Sequence, residues 1–335
     1  MMPIGLIGLS AGAAAALLFA SIMSGTLLSV PLFYLTPLPI MIAGLGWSHW
    51  SALIGAVMAA GALGAVFGGT FFFGFLTAAG LPAWWLSYLA MLARPAAAPE
   101  PHDNTTTAPA PLEWYPPGHL VIWAAMLGVA VALIALATLI VIPNATGDAD
   151  SFRAALRVAL AGLMRPDFGV DGKPAALPEN TRSLIAVMAL AIPPAAAVLA
   201  TILNVINLWL AGRVVKFSGR LTRPWPMLAE LTLPPQFAAL LIAALVLSFV
   251  DSLLGIAAGV LTAGLVLAYG LLGFAVLHSI TQGITSRGFL LSGVYASVLV
   301  FQWPILALCV LGLIETVMHL RARAARRRGS VRPPA

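Results

Sequence analysis

The chain has 335 residues, of which 61% are hydrophobic and only 8% charged, with a formal net charge of +6 and a mean hydropathy of +1.00. Soluble domains carry roughly 25% charged residues, so the composition excludes an ordinary soluble domain. The single cysteine, Cys309, excludes a disulfide framework and a cysteine-built metal site.

Several apolar runs exceed the ~20 residues that cross a hydrocarbon core of ~30 Å. The expectation is an all-α, polytopic transmembrane helix bundle. The first run spans Gly5 to Ser24, with no Lys or Arg before it, and reads as a retained helix and not a cleaved signal. Gly8, Gly12, Ala16, Ala20 and Ser24 fall four residues apart. Such a stripe lets two backbones approach closely in lipid, which marks this face for helix packing or for docking a partner.

Pro31, Pro37 and Pro39 interrupt the second run, which ends at Gly46. Proline removes a helical hydrogen bond and clashes with the preceding turn, so this span is expected to be short, kinked or partly unwound. Trp47, His49 and Trp50 then stand where an interfacial aromatic belt would lie. The third span, Ser51 to Gly69, repeats the small stripe with Ala52, Ala56, Ala60, Gly64 and Gly68. It is the natural partner of the first. A fourth span, Thr70 to Ala93, closes on Trp84, Trp85 and Tyr88 before Arg94. Residues 95–117 are rich in Pro, Ala and Thr and read as a disordered linker. A fifth span covers Leu120 to Ile142.

Asp150-Ser151 can cap a short amphipathic helix over 150–165, with Phe152, Leu156, Leu160 and Leu163 on one face and Arg153 and Arg157 turned away. It is too short and too charged to cross, and is expected to lie on the membrane surface. The sixth span, Ser183 to Gly212, contains Pro193-Pro194, where a kink is expected. A proline-rich loop with Arg213, Lys216, Arg220 and Arg223 follows. Spans seven (Phe237 to Phe249) and eight (Ile256 to His278) flank Asp251, expected in an exposed turn.

Arg321, Arg323, Arg326, Arg327, Arg328 and Arg332 supply the excess positive charge, which is a property of the tail and not of a nucleic-acid-binding surface. Basic loops stay in the cytoplasm, which places both the 213–229 loop and this tail there. The apolar stretch Gly288 to Met318 must then cross twice, turning near Gln302-Trp303-Pro304. The count is even, ten crossings or eight, with both termini and Arg94 cytoplasmic and 143–181 outside. The organisation is a six-helix bundle over 1–212, further membrane helices over 213–320 and a basic tail over 321–335.

Polar groups at lipid depth are the usual functional pointers. Asn204 and Asn207 lie three apart on one face of the sixth span, with Thr201 nearby. They serve either interhelical hydrogen bonds or a ligand, and are the candidate ligand-binding residues. Glu315 and His319 read as a local pair, and His278 and Gln282 share a helix face. The five histidines are scattered, and phosphate-loop, nucleophile-elbow and dinucleotide motifs are missing. No catalytic residue, metal or cofactor is expected, and any ATP use must come from a partner.

Thr36-Pro-Leu-Pro-Ile-Met-Ile-Ala-Gly44 after a helix of small residues, Arg223-Pro-Trp-Pro through Leu233-Pro-Pro, Gly273-Phe-Ala-Val-Leu-His278, and Leu311-Gly-Leu-Ile-Glu315 before Arg321 and Arg323 together resemble the YybS-like family of bacterial membrane proteins. Leu272 stands where that family tends to have Gln. The family is distantly similar to the substrate-binding S components of energy-coupling factor transporters. That resemblance implies a six-helix, N-inside bundle whose first helix docks a membrane coupling protein with its ATPases. The expected function is therefore a transport-related, small-molecule-binding component of a bacterial plasma membrane, with the bilayer and such a coupling protein as partners. A non-enzymatic structural or assembly protein of the cell envelope is the alternative.

Overall fold

The structure, a computed structural model, describes residues 4–96, 112–140, 149–164, 179–226 and 231–330. It is helical almost throughout. Among the described residues, seven helices are long and apolar enough to cross a membrane, and three more apolar helices are shorter. The chain divides into two units, one built from 1–124 and 202–233, the other from 125–201 and 234–335. The boundary expected after residue 212 falls inside the first.

The first unit begins with α1 (Ile4–Ala20), which tightens into a 3₁₀ turn at Ser21–Ser24. The second run is split into α2 (Ser29–Tyr34) and α3 (Leu38–Gly46), and the break falls at the prolines. Ser48 accepts the Trp50 N–H at 3.2 Å and so caps α4 (His49–Phe67). The fourth run is not one regular helix. It consists of α5 (Gly69–Phe75), a π turn at Leu76–Gly80 and α6 (Leu81–Ala90). Pro82 removes one donor just after the wide turn.

The ends of the expected linker are ordered. Ala93–Pro95 (β1) pairs antiparallel with Leu112–Trp114 (β2), and Arg94 Nε meets Glu113 Oε2 at 2.8 Å across the ladder. Residues 97–111 lie outside the described residues. Two long helices contribute to both units: α7 (Pro117–Ile140) and α9 (Glu179–Phe217). The 39 residues of α9 rise to about 58 Å at ~1.5 Å each, and α9 runs unbroken through Pro193-Pro194.

α1 packs chiefly on α4. The pairing follows from the small residues of both helices, but the face of α4 is not the one the stripe suggested. A Cβ added at Gly12 would lie 2.6 Å from Gly55 O, and one at Gly8 would lie 2.8 Å from Ser51 O. Ala52 and Ala56 turn instead toward Gly44 of α3 and Gly80 ahead of α6. All of Ala52, Ala56 and Ala60 are fully buried. Small residues line two faces of α4, so it can serve as the central post of this unit.

The second unit adds α8 (Ala149–Met164), α10 (Gln236–Leu247), α11 (Leu253–Ile280), α12 (Arg287–Phe301), α13 (Pro304–Met318) and α14 (Leu320–Ser330). The break between α12 and α13 falls at Gln302-Trp303, where a turn was expected. α11 and α13 form the tightest pair here, with Gly312 set against the backbone of Tyr269 and Gly273. Val129 and Ala132 of α7 pack with Ala197 and Val260. Leu17, Phe73, Val187, Leu190 and Leu299 present large apolar side chains outward, a surface suited to lipid and costly in water.

Candidate functional site

Two adjacent prolines inside a long helix have a chemical consequence that precedes any tertiary contact. Neither Pro193 nor Pro194 has an N–H, so the carbonyls four residues earlier, on Ala189 and Leu190, lose their helical donors. These are acceptors in an apolar stretch, and acceptors left bare there are costly.

The residues around this point form a cleft of about 540 Å³. Ala186, Ala189, Leu190, Pro193 and Pro194 of α9 make one wall, and Gly255, Ile256 and Gly259 of α11 another. Arg153 and Arg157 of α8 supply its cationic edge. α8 is held there by its apolar face, because Leu156 and Leu160 pack with Ile185 and Ala189. Phe152 and Leu163, expected on the same face, have side chains outside the described set.

The turn from α10 to α11 closes the cleft. Ser252 accepts the Gly255 N–H at 3.0 Å and caps α11. Asp251, in the exposed turn where it was expected, receives Arg153 Nη1 at 2.7 Å. Arg153 is therefore not simply turned away to solvent. Arg157 is exposed and, among the described residues, has no acidic partner. Sequence reasoning had all four features (the two arginines, Asp251 and the proline pair) but no signal that brings them together.

Asn204 and Asn207 lie elsewhere on α9, in the first unit. Asn204 donates its side-chain amide to Ala124 O of α7 at 3.1 Å. Asn207 donates to Tyr34 O at 2.9 Å and to Leu203 O at 2.9 Å, and its Oδ1 has no partner among the described residues. Thr201 bonds back to Ala197 O at 2.7 Å. All three are buried.

The stripe on α1 is divided. Gly8 and Gly12 are buried against α4, Ala15 is buried in place of Ala16, and Ala16 and Ala20 are half-buried. Ser24 is exposed, beyond the α-helix on the 3₁₀ turn.

The basic loop does more than carry charge. Arg213 and Lys216 lie on the last turns of α9, 5.7 Å and 5.2 Å from the ring of Trp225, and Arg220 stands 4.5 Å over Trp47. Arg223 is buried and donates to Ala90 O at 2.8 Å and Tyr115 O at 2.7 Å. Burial draws its guanidinium below the ordinary value, but arginine stays charged. Glu315 pairs with Arg321 and not with His319: Arg321 Nε donates to Oε1 at 2.7 Å, and the Arg321 N–H to Oε2 at 3.2 Å. His278 Nδ1 lies 3.0 Å from Phe274 O, and Gln282 falls beyond the end of α11.

No family model, curated protein or solved structure matches the chain.

Proposed function

We propose that this chain is a multi-pass component of a bacterial plasma membrane that binds a small molecule between its helices and works in transport with an energising partner. The observation that carries the reading is the cleft at Pro193-Pro194. It combines an apolar wall, two backbone acceptors without helical donors and an arginine, Arg157, that has no acidic partner among the described residues. Transporters bind their ligands at backbone groups that a helix leaves unpaired at membrane depth, and the proline pair frees two carbonyls of this kind without ending α9. Its volume falls in the ~300–1,000 Å³ range of small-molecule sites. Counting crossings by the charge rule puts α8 and the Asp251 turn on one side of the membrane, and the Arg153–Asp251 contact agrees with that count.

On this reading the ligand lies at the cleft, and Asn204 and Asn207 act as joints that hold α7 and α2 to α9. The resemblance to S components supplies the partner class, a membrane coupling protein with ATPases. A partner docking on α1 would meet Ala16, Ala20 and Ser24, because α4 already occupies Gly8 and Gly12. The second reading, a non-enzymatic structural or assembly protein of the envelope, is favoured by the commitment of both asparagine amides to backbone carbonyls.

The deciding experiment is mild-detergent purification of the tagged protein from its native membrane with identification of the proteins that accompany it. A coupling protein with ATPases is expected. Envelope-synthesis or secretion proteins in their place would overturn the transport reading in favour of assembly.

A further inference from the structure

We infer that the Pro193-Pro194 cleft takes an anionic amphiphile, a phosphate or carboxylate headgroup on an apolar chain. This rests on the reading of the cleft as a ligand site. The cationic edge holds Arg153 and Arg157, and Arg153 engages Asp251 of the neighbouring turn at 2.7 Å. Among the described residues the remaining charge is the positive charge of Arg157, which suits one anionic group. A guanidinium presents a planar fork of donors that matches the oxygens of a phosphate or carboxylate. A cation would meet repulsion there, and a neutral headgroup would leave Arg157 without a counter-charge.

The rest of the cleft selects the remainder of the molecule. Leu190, Ile256 and the alanines of α9 offer only apolar surface, and Leu190 is 71% exposed, so the wall continues outward onto a lipid-facing side of the helix. Gly259 carries no side chain into the space, and a Cβ there would meet only Ser248 Cβ, at 3.9 Å, whereas one at Gly255 would run into the Val250 carbonyl of the turn and not into the cleft. Room for a chain therefore exists at Gly259. The carbonyls of Ala189 and Leu190, which lack their helical donors, can accept hydrogen bonds. They favour a headgroup that also carries a hydroxyl donor, as glycerol-type heads do.

The test uses the purified full-length protein in a neutral maltoside detergent, titrated calorimetrically with dodecyl phosphate. Saturable binding is expected. Arg157→Gln, at an exposed position, should weaken it by about tenfold to a hundredfold, with Arg157→Lys between the two. Gly259→Leu should fill the cleft and abolish binding with every charge in place. Dodecyltrimethylammonium and dodecanol are the control probes. If either binds as tightly as the phosphate and is displaced by Gly259→Leu, the cleft is a ligand site and the anionic assignment is overturned. If no probe binds, or all bind regardless of Gly259→Leu, the reading of the cleft as a site falls with it. Phosphatidylcholine nanodiscs with and without phosphatidylglycerol then identify the source. Competition by phosphatidylglycerol supports a bilayer lipid, and its failure to compete supports a free amphiphile of the same chemistry.

Discussion

The side-chain amide of Asn207 donates to the carbonyl of Tyr34 at 2.9 Å, across 173 positions of sequence. Tyr34 ends α2, and in a continuous helix its carbonyl would receive the Leu38 N–H. That N–H goes to Leu35 O instead, at 3.0 Å, because the prolines at 37 and 39 break the helix. Asn207 thus replaces a hydrogen bond that proline chemistry removes. The polar residue of α9 and the broken second span are two halves of one arrangement.

It follows that Asn207→Leu should destabilise the protein even with no ligand present. The Tyr34 carbonyl would be left bare, at a cost of about 1 kcal/mol. Denaturant unfolding in mixed micelles should show the loss, with Asn204→Leu giving a comparable one through Ala124 O. A double variant as stable as the parent would return both residues to the role of ligand contacts.

The α1–α4 contact makes a second prediction that separates positions within one stripe. A side chain at Gly12 collides with Gly55 O, whereas Ser24 faces outward. Gly12→Leu should therefore cost about 1–3 kcal/mol by forcing the helices apart. Ser24→Leu should stay within about 0.5 kcal/mol of the parent. Thermal melting of the two variants in the same detergent checks this, and equal effects would mean that the close approach at Gly12 does not hold the unit together.

The breaks in this fold were legible wherever proline or charge bookkeeping is local. Pro31, Pro37 and Pro39 announce the division of the second run, and the turn expected near Gln302-Trp303 from the Arg-rich tail is a helix break in the structure. What could not be read is which distant group each polar residue meets. Asn204 and Asn207 stood out as buried amides, but their partners Ala124 O and Tyr34 O are backbone atoms, which no side-chain pattern encodes. Arg153 and Asp251 were each visible, and their pairing depends on how α8 seats on Ile185 and Ala189. In α4, small residues recur on two faces, so the repeat that foretold its pairing with α1 pointed to the wrong face. The carbonyls freed by Pro193 and Pro194, by contrast, follow from sequence alone.

Arg223 gives a third prediction, because its two bonds need a forked donor. One guanidinium nitrogen reaches Ala90 O, at the end of α6, and the other reaches Tyr115 O, just before α7. Lysine would keep the charge but present a point donor that cannot serve both carbonyls in one geometry. Arg223→Lys should therefore lose a large part of what Arg223→Gln loses, and the full loss should be about 2–3 kcal/mol for charged hydrogen bonds at a buried site. Unfolding free energies of the two variants distinguish this from simple charge retention. A lysine variant matching the parent would show that the positive charge alone is what this position requires.

Two side chains sit where the backbone favours glycine. His319 has φ +50°, in the left-handed turn that ends α13, and Gln302 has φ +61° between α12 and α13. A left-handed conformation costs an L-residue about 1–2 kcal/mol, partly offset by the greater freedom glycine has in the unfolded chain. His319→Gly and Gln302→Gly should each raise stability by about 0.5–1 kcal/mol, and His319→Val should lower it, since a branched Cβ fits that region worst. The His319 turn has a further role, because it returns the Arg321 N–H and guanidinium to Glu315. Removing the side chain should leave that pair intact, so the gain at His319 should persist in an Arg321→Gln background. If His319→Gly instead destabilises, the imidazole itself contributes to the end of α13, and the turn is held by the side chain and not by its backbone geometry.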